Sequence, residues 1–344
     1  MDFTSDNASG IAPEILEALA RANAGTAASY GADDVTARLK VRLSEIFERE
    51  VEVFPVVTGT AANALALAAL APPYGAVLCH ELAHVHLDEC GAPEMYSGAK
   101  LVPVGGEKAK IDPVLLRAEL DKLPAGVVHH VQPAALTLTQ STELGSLYSL
   151  DEISALAAIA RERGLRVHMD GARFANALAA LDVSPAQASW KAGVDIMSFG
   201  ATKNGAMAAE AVIVFNRDLA RDLSFRRKRA GHLLSKMRFL SAQLEAYLAE
   251  DLWLRLAGHA NAMAARLAEG LQDVPESAMH LTPQANEIFV RLPTTTVQRL
   301  KEAGARFHRW PMPGDSDGAY TVRLVTSFQT DPEAVGRFIS SARG

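Results

Sequence analysis

The sequence predicts an α/β protein: a large domain built on a mostly parallel sheet, covered by helices on both faces, followed by a smaller α+β domain. Three observations predict it. Short apolar runs alternate with longer stretches of helical spacing through the first two thirds of the chain, the βα pattern of a parallel sheet. A chain of 344 residues, 49% hydrophobic, is too long for one ordinary core and suits a large domain with a smaller partner. Past about Phe239 the pattern changes to one long helical stretch, then to two strand-like runs around a helix. These shifts place an N-terminal segment at 1–25, the large domain at 26–245 and the small domain at 246–344.

Each element follows from local pattern. "PEILEALARANA" is a helix with Pro13 in its first turn, where a missing N–H costs nothing. "VTARLKVRLSEIFERE" repeats apolar residues at Leu39, Leu43, Ile46 and Phe47, which is helical spacing. "VEVFPVV" is a strand, "GTAANALALAALA" a buried helix, and "AVLCH" and "AKLVPV" are short strands. "DPVLLRAELDKL" is a helix capped by Asp112 with Pro113 in its first turn. "GVVHHV" reads as a strand. "SLDEISALAAIARERG" is a helix that Ser149 or Asp151 caps and Gly164 stops. "LRVHMD" and "DIMSFG" are strands, as is the apolar run ending at Phe215. The long helical stretch is "LSAQLEAYLAEDLWLRLAGHANAMAARLAEGL"; "EIFVRL", "TVQRLKEAG" and "YTVRLVT" make the small domain.

Bulk properties narrow the function. The net charge of −6 argues against nucleic acid or an anionic membrane as the main partner. No apolar stretch reaches membrane-spanning length unbroken. Two cysteines, Cys79 and Cys90, make no disulfide framework and fit a reducing compartment. With no signal-like N-terminus, the expectation is a soluble cytoplasmic protein.

The chemistry starts from Lys203, which stands in a small-residue loop, "GATKNGA", after the strand "DIMSFG". Asp170 ends the strand before it, "LRVHMD". In parallel sheets ligands bind at the carboxyl ends of strands, so both residues should meet in one crevice. A lysine amine can form a Schiff base. A carboxylate beyond a pyridine ring can keep its nitrogen protonated and make the ring an electron sink. Together they describe a pyridoxal phosphate (PLP) site. Thr58, Gly59 and Thr60 lie where a strand turns into a helix, and free N–H groups there suit the phosphate. An amino-acid substrate needs a carboxylate clamp, for which arginine's planar fork is suited; Arg173 and Arg323 are the candidates.

These residues sit in motifs that extend along the chain. "SDN", "YGADDVT", "TGTAAN", "AHVHLDECGAPE", "HMDGARFANAL", "SFGATKNGA" and "VRLVTS" occur in this order over about residues 3–340. The sequence resembles the bacterial low-specificity L-threonine aldolases, including the phenylserine aldolases. The resemblance implies PLP fold type I, as in aspartate aminotransferase, with a seven-stranded sheet. It implies cleavage of L-threonine, L-allo-threonine and related β-hydroxy-α-amino acids to glycine and an aldehyde. By the same resemblance Lys203 is the Schiff-base lysine, Asp170 pairs with the pyridine nitrogen and His84 stacks on the ring. Thr58, Gly59 and Thr60 hold the phosphate; Ser5, Arg173 and Arg323 hold the substrate carboxylate, with Arg173 also beside the cofactor. The family is usually a homotetramer, a dimer of dimers with sites at the dimer interface, so Tyr30 and Arg229 would reach a neighbour's cofactor. Candidates for the base that takes the β-hydroxyl proton are His84, His86 and His129, or a water they hold. Better-known aldolases of this fold carry a histidine near the position of Gln140, and glutamine is no base at neutral pH.

Rival readings exist. "HELAH", His80 to His84, is a literal H-E-x-x-H, which on a helix would bind zinc and make the chain a zinc hydrolase with Glu81 as base. It follows directly on a strand, and position 87 is Leu where the extended signature needs Gly; no metal is assigned. "RRKR" at 226–229 reads as a solvated helix face. Another PLP enzyme of the same fold, an aminotransferase or β-eliminating lyase, is the nearer alternative.

Overall fold

The computed structural model describes all 344 residues. The chain runs α1 (Pro13–Ala22), α2 (Asp34–Ile46), β1 (Glu52–Val56), α3 (Gly59–Leu70), β2 (Gly75–His80), α4 (His84–Leu87), α5 (Ala92–Ser97), β3 (Lys100–Val104), α6 (Pro113–Asp121), β4 (Gln132–Thr139), α7 (Leu150–Glu162), β5 (Arg166–Gly171), α8 (Phe174–Leu181), β6 (Ile196–Gly200), β7 (Glu210–Val214), α9 (Leu223–Arg229), α10 (Arg238–Leu248), α11 (Leu252–Gln272), β8 (Ala278–Met279), β9 (Glu287–Pro293), α12 (Thr294–Glu302), β10 (His308–Arg309), β11 (Ala319–Val325) and α13 (Pro332–Arg343).

β1 to β7 form one sheet in the order β1-β7-β6-β5-β4-β2-β3. β7 runs against both β6 and β1; the other neighbours pair in parallel. Alternate residues feed opposite faces. In β7, Ala211 and Ile213 join the core under α2, α7, α8 and α10, while Val212 and Val214 pack under α3. Burial on both faces explains why these strands read as continuous apolar runs.

The second sheet, β10-β11-β9-β8, is antiparallel. It packs on α12, α13 and the second half of α11. The ends of the N-terminal segment part company: Phe3 enters this smaller core, bonded to Arg306 and Val325, whereas α1 lies along α10. The boundary drawn at 245–246 falls inside α10, whose Tyr247 and Leu248 belong to the large core; α11 bridges the two, with Trp253 in one core and Leu267 in the other.

Two expected elements differ. "GVVHHV" is not a strand: residues 124–131 form an exposed turn-rich loop, and β4 begins only at Gln132. Val127 and Val128 mimic a strand, but the residues that pack between helices are Ala135, Leu136 and Leu138. The long helical stretch is broken at Ala249–Asp251, where Glu250 and Asp251 take positive φ of 49° and 54°.

Candidate active site

The carboxyl edge of the large sheet supplies the site. β4 ends at Thr139, β5 at Asp170-Gly171 and β6 at Gly200; α3 starts just beyond β1. An inner cavity is lined by Gly59, Thr60, Asn63, Asp170 and Lys203 among others. It adjoins a larger outer cavity that reaches Ser5, Trp310 and Arg323. His84, Glu143, Arg173 and Lys203 line both.

The turn bearing Lys203 is fixed from all sides. Asn204 Nδ2 donates to Tyr247 Oη at 2.8 Å and to the Trp253 carbonyl at 2.9 Å. Gly205 follows at φ 113°, a conformation that favours glycine, and its carbonyl accepts from Ala12 N–H. A Cβ on Gly200 would come within 2.5 Å of the Ala172 carbonyl oxygen, so only glycine lets β6 pass the start of α8. Lys203 itself engages no carboxylate within ion-pair distance and makes no hydrogen bond. Its amine stays available at the cavity wall.

Asp170 is buried and held at both oxygens. Oδ1 accepts from Ala172 N–H at 3.0 Å and Oδ2 from Asn63 Nδ2 at 2.8 Å. Asn63 Nδ2 also donates to Glu89 Oε1 at 2.8 Å, and the same oxygen binds His84 Nδ1 at 2.9 Å. That bond to Glu89 raises the His84 pKa. Beneath Asp170, His168 is wholly buried between Thr137 and Ser198, and burial lowers its pKa to about 4.

The start of α3 fits a phosphate. Thr58 Oγ1 caps the helix by accepting from Ala61 N–H at 3.1 Å. Gly59 and Thr60 line the cavity, and a Cβ on Gly59 would meet nothing within 4 Å. Open space in front of unsatisfied helix N–H groups is an anion cradle. An amine, a buried carboxylate and this cradle around one cavity are the donor set that PLP requires.

Arg173 is more occupied than a free clamp would be. Its Nε and Nη2 meet Asp6 Oδ2 and Oδ1 at 2.7 and 3.2 Å, and Nη1 meets Glu287 Oε2 at 3.1 Å. Burial alone would raise the Asp6 pKa, but Arg173 and Lys203 outweigh it and hold it below the usual carboxylate value. Arg323 is freer. It lies over Trp310, Nη2 donates to the Thr4 carbonyl at 3.3 Å, and Nε is buried without a partner. Ser5 lines the outer cavity while its hydroxyl accepts from Asn7 N–H.

Several expected residues lie elsewhere. His129, and His130 beside it, sit in the exposed loop at the amino end of β4; eight residues of strand, roughly 26 Å, separate that edge from the site, so neither reaches the site of its own chain. His86 is exposed on α4 and lines neither cavity. Gln140 is turned away: its amide pairs with both backbone groups of Tyr148. Glu143 lines the cavities instead. Tyr30 is half-exposed under Lys228, and Arg229 lines a separate surface cavity with Met95 and Tyr96; neither reaches the site of its own chain. "HELAH" is not a helical zinc motif: β2 ends at His80, whose Nε2 binds the Gly106 carbonyl and whose Nδ1 accepts from Leu82 N–H.

Sequence reasoning missed Asp6, Asn63, Glu89, Glu143 and Glu287. Asn63 left a trace, as the lone polar residue of an otherwise apolar helix interior, since a buried amide needs partners.

The sheet, its carboxyl-edge cavity and the lysine–aspartate pair define a fold type I enzyme of the PLP-dependent class. The solved structure of Leishmania major threonine aldolase superposes with TM-score 0.94 at 29% identity, covering 99% of this chain and 98% of that one. Histidinol-phosphate aminotransferase from Clostridium acetobutylicum shares the fold at TM-score 0.72 and 15% identity. The sequence profile of the beta-eliminating lyases matches residues 2–294, and the chain belongs to that family. Within it, the chain is 46% identical to the low specificity L-threonine aldolase of Pseudomonas aeruginosa over 97% of its length and 94% of the relative's. It is 42% identical to that of Pseudomonas sp. over 99% and 96%. No helix is long and apolar enough to cross a membrane.

Proposed function

We propose that the chain is a PLP-dependent aldolase. It cleaves L-threonine, L-allo-threonine and related β-hydroxy-α-amino acids such as phenylserine to glycine and an aldehyde. The observation that carries this is the placement of Lys203 and Asp170 on one cavity with the open cradle at Gly59; the full-length likeness to low specificity L-threonine aldolases supports the reaction.

Lys203 would hold the cofactor's aldehyde carbon, Asp170 its ring nitrogen, His84 its face, and Gly59 and Thr60 its phosphate. When bound, PLP supplies an electron sink conjugated to the substrate α-carbon. The remaining work belongs to the chain. Asn63 and Ala172 N–H orient the Asp170 carboxylate. Arg323, with Ser5 and Arg173 beside it in the outer cavity, receives the substrate carboxylate and turns the Cα–Cβ bond. Leu82, Leu87, Leu144 and Trp310 line the same cavity and give the departing aldehyde an apolar wall. Tyr30 and Arg229 are assigned to a neighbouring subunit's cofactor in a homotetramer, and the enzyme to the cytoplasm.

The test is product identity. Purified protein supplied with PLP and threonine or phenylserine should release aldehyde and glycine in equal amounts. Keto acid with ammonia would mean a β-eliminating lyase, and keto acid from transfer to a second keto acid would mean an aminotransferase.

A further inference from the structure

Glu143 stands where the two cavities meet and lines both. Its two carboxylate oxygens are treated differently. Oε1 accepts from His84 backbone N–H at 2.9 Å and from the Thr139 hydroxyl at 2.8 Å. Oε2 is buried and has no partner. A buried polar atom without a partner is rare and costly, and here it belongs to a side chain pinned beside the substrate cavity. The other candidate bases are poorer. His86 and His129 lie outside the site, and Gln140 is spent on Tyr148. His84 is bound through Nδ1 to Glu89, which favours its protonated form.

We propose that Glu143 is the catalytic residue that takes the β-hydroxyl proton during cleavage. The inference rests on the aldolase reading. The O–H bond breaks towards Oε2, its electron pair becomes the new C=O bond, and the Cα–Cβ pair remains on the glycine carbon. That carbon then takes one proton from solvent while Glu143 returns one, so the balance closes without a further reagent.

The surroundings set the pH response. His84, Asp170, Arg173 and Lys203 line the inner cavity with Glu143, Asp88, Glu287 and Arg323 line the outer one, Glu89 holds the His84 ring, and Cys79 and Tyr148 feel the Glu143 charge. Burial pushes the Glu143 carboxyl up to about 7, and the nearby Asp170 charge adds to it. A base of this pKa is well matched to neutral pH. Cleavage needs the ionised form, so its rate climbs as pH rises through about 7; aldol addition needs the acid and falls over the same interval.

The experiment compares wild-type holoenzyme with Glu143→Gln and Glu143→Asp. For Gln, kcat for aldehyde release should fall by about 10²–10⁴ with KM little changed, and the rising limb near neutral pH should vanish. Exchange of the glycine α-hydrogen with deuterium oxide, which involves no β-hydroxyl, should persist in Gln. Asp should keep the limb at a lower rate. An infrared difference titration gives a readout independent of turnover: wild type should show a carboxylic-acid C=O band lost as pH rises through about 7, absent from Gln. A limb that survives in Gln, or a wild-type band that Gln retains, overturns the assignment. Loss of glycine exchange together with cleavage in Gln does so as well, because it marks a damaged site. Wild-type enzyme that exchanges glycine hydrogen yet releases no aldehyde overturns the aldolase reading and this assignment with it.

Discussion

Asn63 Nδ2 donates to Asp170 Oδ2 at 2.8 Å, and the same nitrogen reaches Glu89 Oε1 at 2.8 Å. Glu89 in turn holds the ring of His84. One amide on α3 therefore locks the carboxylate meant for the cofactor's nitrogen to the imidazole meant for its face.

Asn63→Leu removes the shared donor and leaves two buried carboxylates short of a partner. An unsatisfied buried group costs about 1–3 kcal/mol, so the variant should unfold at lower denaturant and bind PLP more weakly. Equilibrium dialysis against PLP checks the second effect separately. Wild-type affinity in a variant that is measurably less stable would confine Asn63 to a packing role.

Lys203→Ala should lose covalent attachment of the cofactor. Borohydride reduction of the wild type should fix a pyridoxyl group on the peptide containing Lys203, and the variant should carry none. A label recovered on another lysine would move the assignment off the β6 turn.

How legible this was depends on whether a residue's role is local. Lys203, Asp170 and Gly59 each follow an apolar run, so strand ends could be counted and the crevice inferred. The fold was legible for the same reason: strands buried on both faces read as unbroken runs. Glu143 carries no such signal, because its importance comes from Thr139 and a backbone N–H 59 residues away, at His84. The break at Glu250 and Asp251 involves neither Gly nor Pro, so nothing in that stretch announces it. "GVVHHV" misled because two valines satisfy β-propensity without a buried face to fill, and His129 was carried to the wrong edge of the sheet with it.

Asp170→Asn keeps the size of the side chain and removes its charge. The ring nitrogen would then lack its anionic partner, and the electron sink weakens. PLP should still bind, while kcat falls by orders of magnitude and KM changes little. Steady-state kinetics at saturating PLP decide it; a near wild-type kcat would remove Asp170 from the electron-sink role.

Glu210 gives a pH-linked stability prediction. It is buried at the start of β7, where Oε1 accepts from Thr202 N–H at 3.3 Å, and burial pushes its carboxyl up to about 7. The folded state therefore holds a proton that the unfolded chain releases near its ordinary value of 4.5. Stability from this group is complete below that value and is lost as pH rises through about 7. At one unit per 1.36 kcal/mol, the loss is on the order of 3 kcal/mol at most. Glu210→Gln should flatten the fall, so its advantage over wild type in urea unfolding should grow from pH 5 to pH 8. An advantage that is constant with pH would mean that Glu210 titrates like an ordinary carboxylate.

The two arginines of the expected clamp should separate by what they lose. Arg173 is bidentate to Asp6 and paired with Glu287, both buried. Breaking such a pair from one side costs about 3–5 kcal/mol, because the remaining charges are stranded. Arg323 holds one long hydrogen bond to Thr4, lies over Trp310 and leaves its Nε unpartnered, so less structure depends on it than on Arg173. A charge-assisted bond to a substrate carboxylate contributes about 1.5–3 kcal/mol, or about 10–150-fold in affinity. Arg323→Ala should thus raise KM by that factor while its thermal unfolding stays near wild type. Arg173→Ala should show its first effect in unfolding, with Asp6→Asn reproducing part of it by removing one of the two anions that face Arg173. If Arg173→Ala instead unfolds normally and raises KM alone, the Asp6 and Glu287 contacts give way on substrate binding, and Arg173 is the principal clamp.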